Sequence, residues 1–130
     1  MAGLVLDAST LIALYNDKDA HHKWAVDLMF QSTAETFHMS SMNLAEVAVQ
    51  PMRLGIESKF HDGIRGLNIE ISGLSQDAGF ELARIRATTN VPMPDCYALQ
   101  LVLEKDATLA TCDKAQAKAA KALGIEVFQP

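Results

Sequence analysis

The chain has 130 residues and a mass of 14.1 kDa, with 49% hydrophobic and 21% charged residues, the make-up of a water-exposed globule of one domain's length, about 100–150 residues. Eleven Lys+Arg against sixteen Asp+Glu give a formal net charge of −5 and a pI near 5.2. That balance excludes a nucleic-acid binder working through a broad basic surface, whose affinity comes from neutralised phosphates.

Short apolar runs alternate with longer helical patterns. Leu4–Leu6 predicts a short buried strand and Ser9–Tyr15 a helical turn or two. From Asp19 to Gln31, Trp24, Leu28 and Gln31, with Ala25 and Met29, repeat at three to four residues and predict a helix. Thr36–Met39 reads as a second strand, followed by helices over Met42–Leu54 and Ile56–Ile64, with a further strand at Asn68–Ser72. Gln76–Thr88 carries Ala78, Leu82 and Ile85 at helical spacing, and Pro94 opens a helix running to Lys105. Thr108–Thr111 predicts a strand, Lys114–Leu123 a helix stopped by Gly124, and Glu126–Phe128 a last strand. Strands separated by helices imply parallel pairing. The expected fold is therefore α/β: a three-layer domain with a short, mostly parallel sheet flanked by helices on both faces. No repeat or linker divides residues 1–130, so a single domain is expected.

Cys96 and Cys112 show no CxxC spacing and no Cys/His cluster. They read as reduced thiols of a cytoplasmic protein. The N-terminus has no basic stretch and reaches Asp7 after three apolar residues. No run approaches the about 18 apolar residues of a membrane span, so neither export nor membrane insertion is expected.

In an open parallel sheet, ligands bind beyond the carboxyl ends of the strands. Four acids stand where such an edge would collect them. Asp7 follows the first strand, Glu46 lies in the helix after the second, Asp95 opens the helix begun by Pro94, and Asp113 ends the Thr108–Cys112 segment. Each has a structural alternative. Asp113 with Gln116, and Asn43 with Glu46, fit the capping-box spacing, Asp7 suits a cap for the first helix, and Asp95 suits the positive end of a helix dipole. Two details favour chemistry. Asp95 heads the apolar stripe Ala98, Leu99 and Val102, and Glu46 sits on a helix with little polar surface, where an unpaired carboxylate is costly. Four converging carboxylates would repel by about 4 kcal/mol per pair at 4 Å and an effective dielectric of 20. No Lys or Arg except Lys114 adjoins them in sequence. A hard divalent cation would relieve that repulsion, and oxygen donors select Mg²⁺ or Mn²⁺ over Zn²⁺.

Together, Leu4-Val5-Leu6-Asp7-Ala8-Ser9-Thr10-Leu11, Asn43-Leu44-Ala45-Glu46-Val47, Pro94-Asp95-Cys96-Tyr97-Ala98-Leu99 and Leu109-Ala110-Thr111-Cys112-Asp113-Lys114 resemble a PIN domain, in particular the toxin of VapC-type toxin–antitoxin pairs. The similarity runs from Leu4 to Phe128, and its strength lies in the ordered set of four motifs. The resemblance implies a metal-dependent endoribonuclease that uses Mg²⁺, with Mn²⁺ able to substitute. It also implies an RNA substrate, a homodimer and a cognate VapB-type antitoxin. Carried over residue by residue, it assigns Asp7, Glu46, Asp95 and Asp113 to the catalytic metal site and Ser9 and Thr111 to supporting roles. Cys112 departs from the basic or amide residue common at its position, and Cys96 from a common Ala. Lys114, Lys118 and Lys121 share one helical face beside Asp113, where Lys114 and Lys118 are candidate RNA contacts. His21 and His22 read as a polar pair at a helix start. Three other functions are weighed. An aspartyl-phosphate phosphatase wants an acid two residues after its nucleophile, where Ser9 stands. A phospho-receiver wants an acidic pair that Asp7 lacks. A catalytically inactive PIN-like binding module must be set against the presence of all four acids.

Overall fold

The computed structural model describes residues 3–130, so the part of the N-terminal reading that concerns Met1 and Ala2 lies outside the described residues. Strand β1, Leu4–Leu6, is buried along its whole length. Its Leu-Val-Leu sequence has no polar face because helices cover both sides, as in parallel sheets generally. It pairs with β2 (Phe37–Ser40) on one edge and β4 (Thr108–Ala110) on the other, while β3 (Glu70–Ser72) extends β2 and β5 (Val127–Phe128) extends β4. The order is β3-β2-β1-β4-β5 and every pairing is parallel.

Parallel neighbours need crossovers, and among the described residues seven helices supply them. These are α1 (Ala8–Tyr15), α2 (His22–Gln31), α3 (Ser41–Arg53), α4 (Glu57–Leu67), α5 (Ala78–Thr89), α6 (Met93–Lys105) and α7 (Lys114–Ala122). Because successive strand residues point to opposite faces, β1 serves two cores. Leu4 and Leu6 pack with Leu11, Leu28, Phe37, Met39, Val47, Ala48 and Phe60. Val5 packs with Leu109 and with Leu82, Ile85, Leu99, Val102 and Ala120 of the helices on the other face. The three layers are those expected.

Differences from expectation lie at element ends and have local causes. Helix α2 begins at His22 rather than Asp19, because Asp19 Oδ1 accepts the His21 N–H at 2.8 Å and holds a turn there. Short acidic side chains offer the backbone that alternative to helix. Gly124 closes α7 as expected: its φ of 76° is left-handed backbone, and its N–H donates to the Lys121 carbonyl at 3.0 Å. No helix among the described residues is long and apolar enough to cross a membrane.

Candidate active site

Strand β1 lies between β2 and β4, so their carboxyl ends form one edge. Asp7 leaves β1 directly and caps α1, accepting the Thr10 N–H at 3.0 Å. Ser40 ends β2 and caps α3, which carries Glu46. Asp95 stands in the first turn of α6. Beyond β4, Asp113 caps α7 through the Ala115 and Gln116 N–H groups at 2.9 and 3.1 Å. Asp7, Asp95 and Asp113 thus sit at helix starts, and Glu46 lies one turn further into its helix.

Hydroxyls join the β1 and β4 ends. Ser9 Oγ donates to Asp7 Oδ1 at 2.7 Å, and Thr111 Oγ1 donates to Asp7 Oδ2. The same two oxygens accept backbone N–H groups, Ser9 Oγ from Cys112 at 2.9 Å and Thr111 Oγ1 from Asp113 at 3.0 Å. Thr10 Oγ1 donates to the Ala110 carbonyl at 2.8 Å. Ser9 and Thr111, the two residues expected to support the site, are both in contact with the first acid. Asp7 is 3% exposed. Burial pushes its carboxyl above the usual aspartate range, and the donors from Thr111, Ser9 and Thr10 oppose that push.

Asp95 differs. Half-buried above Ala98, Leu99 and Val102, which are fully buried, its carboxyl accepts no hydrogen bond among the described residues. Its carboxyl is pushed up to about 6, first by burial and then by the charges of Asp113, Asp7 and Glu46. Asp113, Asp7 and Glu46 are thus close enough to act on Asp95. Glu46 is exposed, not enclosed as its helix suggested, because α3 turns Asn43, Val47 and Ala48 inward and Glu46 outward. None of the four makes a salt bridge among the described residues.

Two amides that sequence pattern read as capping partners do other work. Asn43 does not cap α3; Ser40 does, accepting the Asn43 N–H at 3.1 Å. The Asn43 side chain, 1% exposed, donates to Glu46 Oε1 at 2.9 Å and to the Pro94 carbonyl at 3.1 Å, and accepts from Ser40 Oγ at 2.7 Å. It therefore orients Glu46 and ties α3 to the start of α6. Gln116 donates from Nε2 to the Asp95 carbonyl at 3.2 Å, tying α7 to the same turn. The buried Asn and Gln types were the only signal in sequence, since their partners lie 51 and 21 residues away.

The donor set suits a hard cation. A carboxylate offers roughly four lone-pair sites; Asp7 uses three, Asp113 Oδ1 two and Glu46 Oε1 one. Acceptor capacity remains on all four, all of it oxygen. Among the described residues, no three Asp, Glu, His or Cys side chains are gathered into a ready-made cage. Like charges with no base among them repel one another.

The other candidates lie around this edge. Lys114 and Lys118 are exposed on α7. His22 Nδ1 lies 2.8 Å from the Ala13 carbonyl, a structural contact, and His21 precedes α2 without capping it through its side chain. Burial and the charges of Asp7 and Asp19 push the Cys112 thiol up to about 11, so it stays protonated near neutrality and is no nucleophile.

The family model described as PIN domain matches residues 4–122. Among solved structures, the sarcin-ricin-loop-cleaving toxin VapC20 of Mycobacterium tuberculosis superposes with a TM-score of 0.78 at 16% identity, covering 98% of this chain and 100% of that one. FitAcB of Neisseria gonorrhoeae gives 0.74 at 17% identity, with 96% of each chain covered. DNA-bound VapBC of Salmonella typhimurium gives 0.72 at 17% identity, covering 99% and 98%. No curated protein matches the chain at a significant level.

Proposed function

The chain belongs to the PIN domain family, and from that premise we propose that residues 1–130 act as one nuclease domain, a divalent-cation-dependent endoribonuclease toxin restrained by a cognate VapB-type antitoxin. One observation carries the reading: the Asp95 carboxyl, pushed to about 6 by burial and by the charges of Asp113, Asp7 and Glu46. An acid destabilised by three other acids, with no base in a salt bridge to any of them, suits a cation far better than it suits a structural role.

Asp7, Glu46, Asp95 and Asp113 would hold Mg²⁺, for which Mn²⁺ may be exchanged. When bound, such an ion supplies neutralisation of the charge that develops on a scissile phosphodiester. The chain's own residues fix the donors. Ser9 and Thr111 pin both oxygens of Asp7, so its free lone pair has one direction. Asn43 turns Glu46 from one side, and Gln116 holds the Asp95 backbone from the other. Donors locked in advance lose little freedom when substrate arrives, which is what positioning contributes to catalysis.

Solved relatives include toxin–antitoxin complexes of Salmonella typhimurium and Rickettsia felis, and by analogy a partner protein occupies this chain as well. Ile12 and Tyr15 on α1, Val49 and Met52 on α3, and Leu54 and Ile56 in the turn from α3 to α4 are exposed apolar side chains, of the kind a partner covers. That surface suits a partner, a second copy of the chain, or both, and on this reading the protein works in the cytoplasm.

Purified protein mixed with RNA tests the reading. Cleavage is expected with Mg²⁺ or Mn²⁺, none in chelator, and a loss of at least about 100-fold for Asp7→Asn and for Asp95→Asn. Cleavage that persists in chelator, or in both variants, would overturn the cation role. RNA bound but never cut would identify a binding module instead.

A further inference from the structure

Of the eleven Lys and Arg residues, three make salt bridges among the described residues, and three of the other eight stand together on one helix. Lys23 pairs with Asp27, Arg65 with Asp62 and Lys105 with Glu70. Helix α7, Lys-Ala-Gln-Ala-Lys-Ala-Ala-Lys-Ala, holds three lysines and no acid, and none of the three makes a salt bridge among the described residues. Its inward side is Gln116, Ala117, Ala119 and Ala120, all buried, while Lys114, Lys118 and Lys121 are exposed. At i, i+4 and i+7 they form a stripe about 10 Å long. With Gln129 and Pro130 they line a depression of about 380 Å³.

Helix stability accounts for only part of this. Lys121 in the last turn meets the negative end of the dipole and is favoured there, but Lys114 opens the helix, at the positive end, where a cation is disfavoured. Lys114 also directly follows Asp113, so the stripe starts at the acidic edge. In a protein of net charge −5, an unpaired basic row that begins beside a carboxylate cluster complements a polyanion passing through that cluster.

Building on the nuclease reading, we infer that the outward face of α7 is a track for the RNA backbone: Lys114, Lys118 and Lys121 contact phosphates of the strand whose scissile bond lies at the acidic edge. The contacts are sequence-independent, since phosphates carry no base identity. They also reconcile an acidic protein with a polyanionic substrate, by concentrating the grip on one helix.

Binding of a labelled single-stranded RNA to the Asp7→Asn protein in chelator, over a salt series, tests this. Each phosphate contact adds about 0.7 to the slope of log affinity against log salt for single strands. Changing all three lysines to Gln, which keeps helix propensity, is expected to lower the slope by about 2 and to weaken binding about equally for unrelated sequences. Three Lys→Arg changes should retain the slope, and the charge-matched set Lys18→Gln, Arg53→Gln and Lys59→Gln should leave it alone. An unchanged slope in the α7 variant, an equal drop in the charge-matched set, or competition by poly-glutamate as strong as by RNA would overturn the track. Cleavage by the wild-type protein with an unchanged slope would sink this inference alone. A lowered slope without cleavage under any cation would sink the nuclease reading and leave the track standing.

Discussion

At the scale of single residues, the site holds two carboxyls disfavoured by burial but treated differently. Asp7 has hydroxyl and amide donors on both oxygens, whereas Asp95 has none among the described residues and feels three neighbouring charges. The sign of the consequence follows from linkage. A folded pKa of about 6 lies above the unfolded value near 3.8, so Asp95 favours the native state fully below about pH 4 and loses that contribution as pH rises through 6. In chelator, Asp95→Asn removes the titration. It should raise stability at pH 7.5 by about 1 kcal/mol, allowing for partial solvent screening, or a few degrees in Tm, with no gain at pH 4. Thermal unfolding of both proteins at the two pH values checks this; an equal gain at both would show that charge is not the cause.

At the scale of elements, Asp113 has two duties that can be separated. It caps α7 through two backbone N–H groups and it faces the cluster. Asp113→Asn keeps a good cap and removes the charge, so unfolding should be nearly unchanged while RNA cleavage falls. Asp113→Ala loses both and should cost about 1 kcal/mol in denaturant unfolding as well. Equal stability of the two variants would discard the capping role. The order of elements and their parallel arrangement were legible in the sequence, because Leu4-Val5-Leu6 and Thr108-Leu109-Ala110 are apolar runs too short for helices, with Gly and acids marking their ends. Asp7, Asp95 and Asp113 could be read in sequence as residues that follow strands or open helices, while Glu46 lies one turn into α3. What escaped is what depends on contacts between distant elements. Asn43 sits at capping-box spacing from Glu46, yet its second partner is Pro94, on another helix. Gln116 likewise reaches Asp95 rather than returning to Asp113. The exposure of Glu46 was hidden because which side of α3 meets α1 and α6 is a matter of packing, and local pattern does not carry it.

At the scale of the whole molecule, two cores on either side of one sheet set a floor of stability that the acidic edge then lowers. A cation bound only by the native arrangement should restore it. Stabilisation by a ligand at 100 times its dissociation constant is about 2.7 kcal/mol, so Mg²⁺ or Mn²⁺ at millimolar levels should raise Tm by several degrees in the wild-type protein. The Asp7→Asn/Asp95→Asn double variant should show little rise. A rise of the same size in both would mean that the ion acts elsewhere on the surface. The same titration with Ca²⁺, another oxygen-seeking ion, would report how far the edge discriminates by ion size.

The pairing of β1 with β4 has a consequence in time. Leu4 meets Thr108, and the Asp7 carboxyl meets Thr111 across 104 residues of chain. Closing so long a loop is slow and entropically costly, and it cannot happen until the distant partner exists. During synthesis, a ribosome that has made Asp7, Glu46 and even Asp95 has not yet made the threonine that pins the first acid or the aspartate that completes the set. The centre is therefore assembled only after residues 111–113 exist, and a product that ends before them lacks the full constellation. For a chain read as a nuclease, topology itself delays competence until Thr111 and Asp113 have been made.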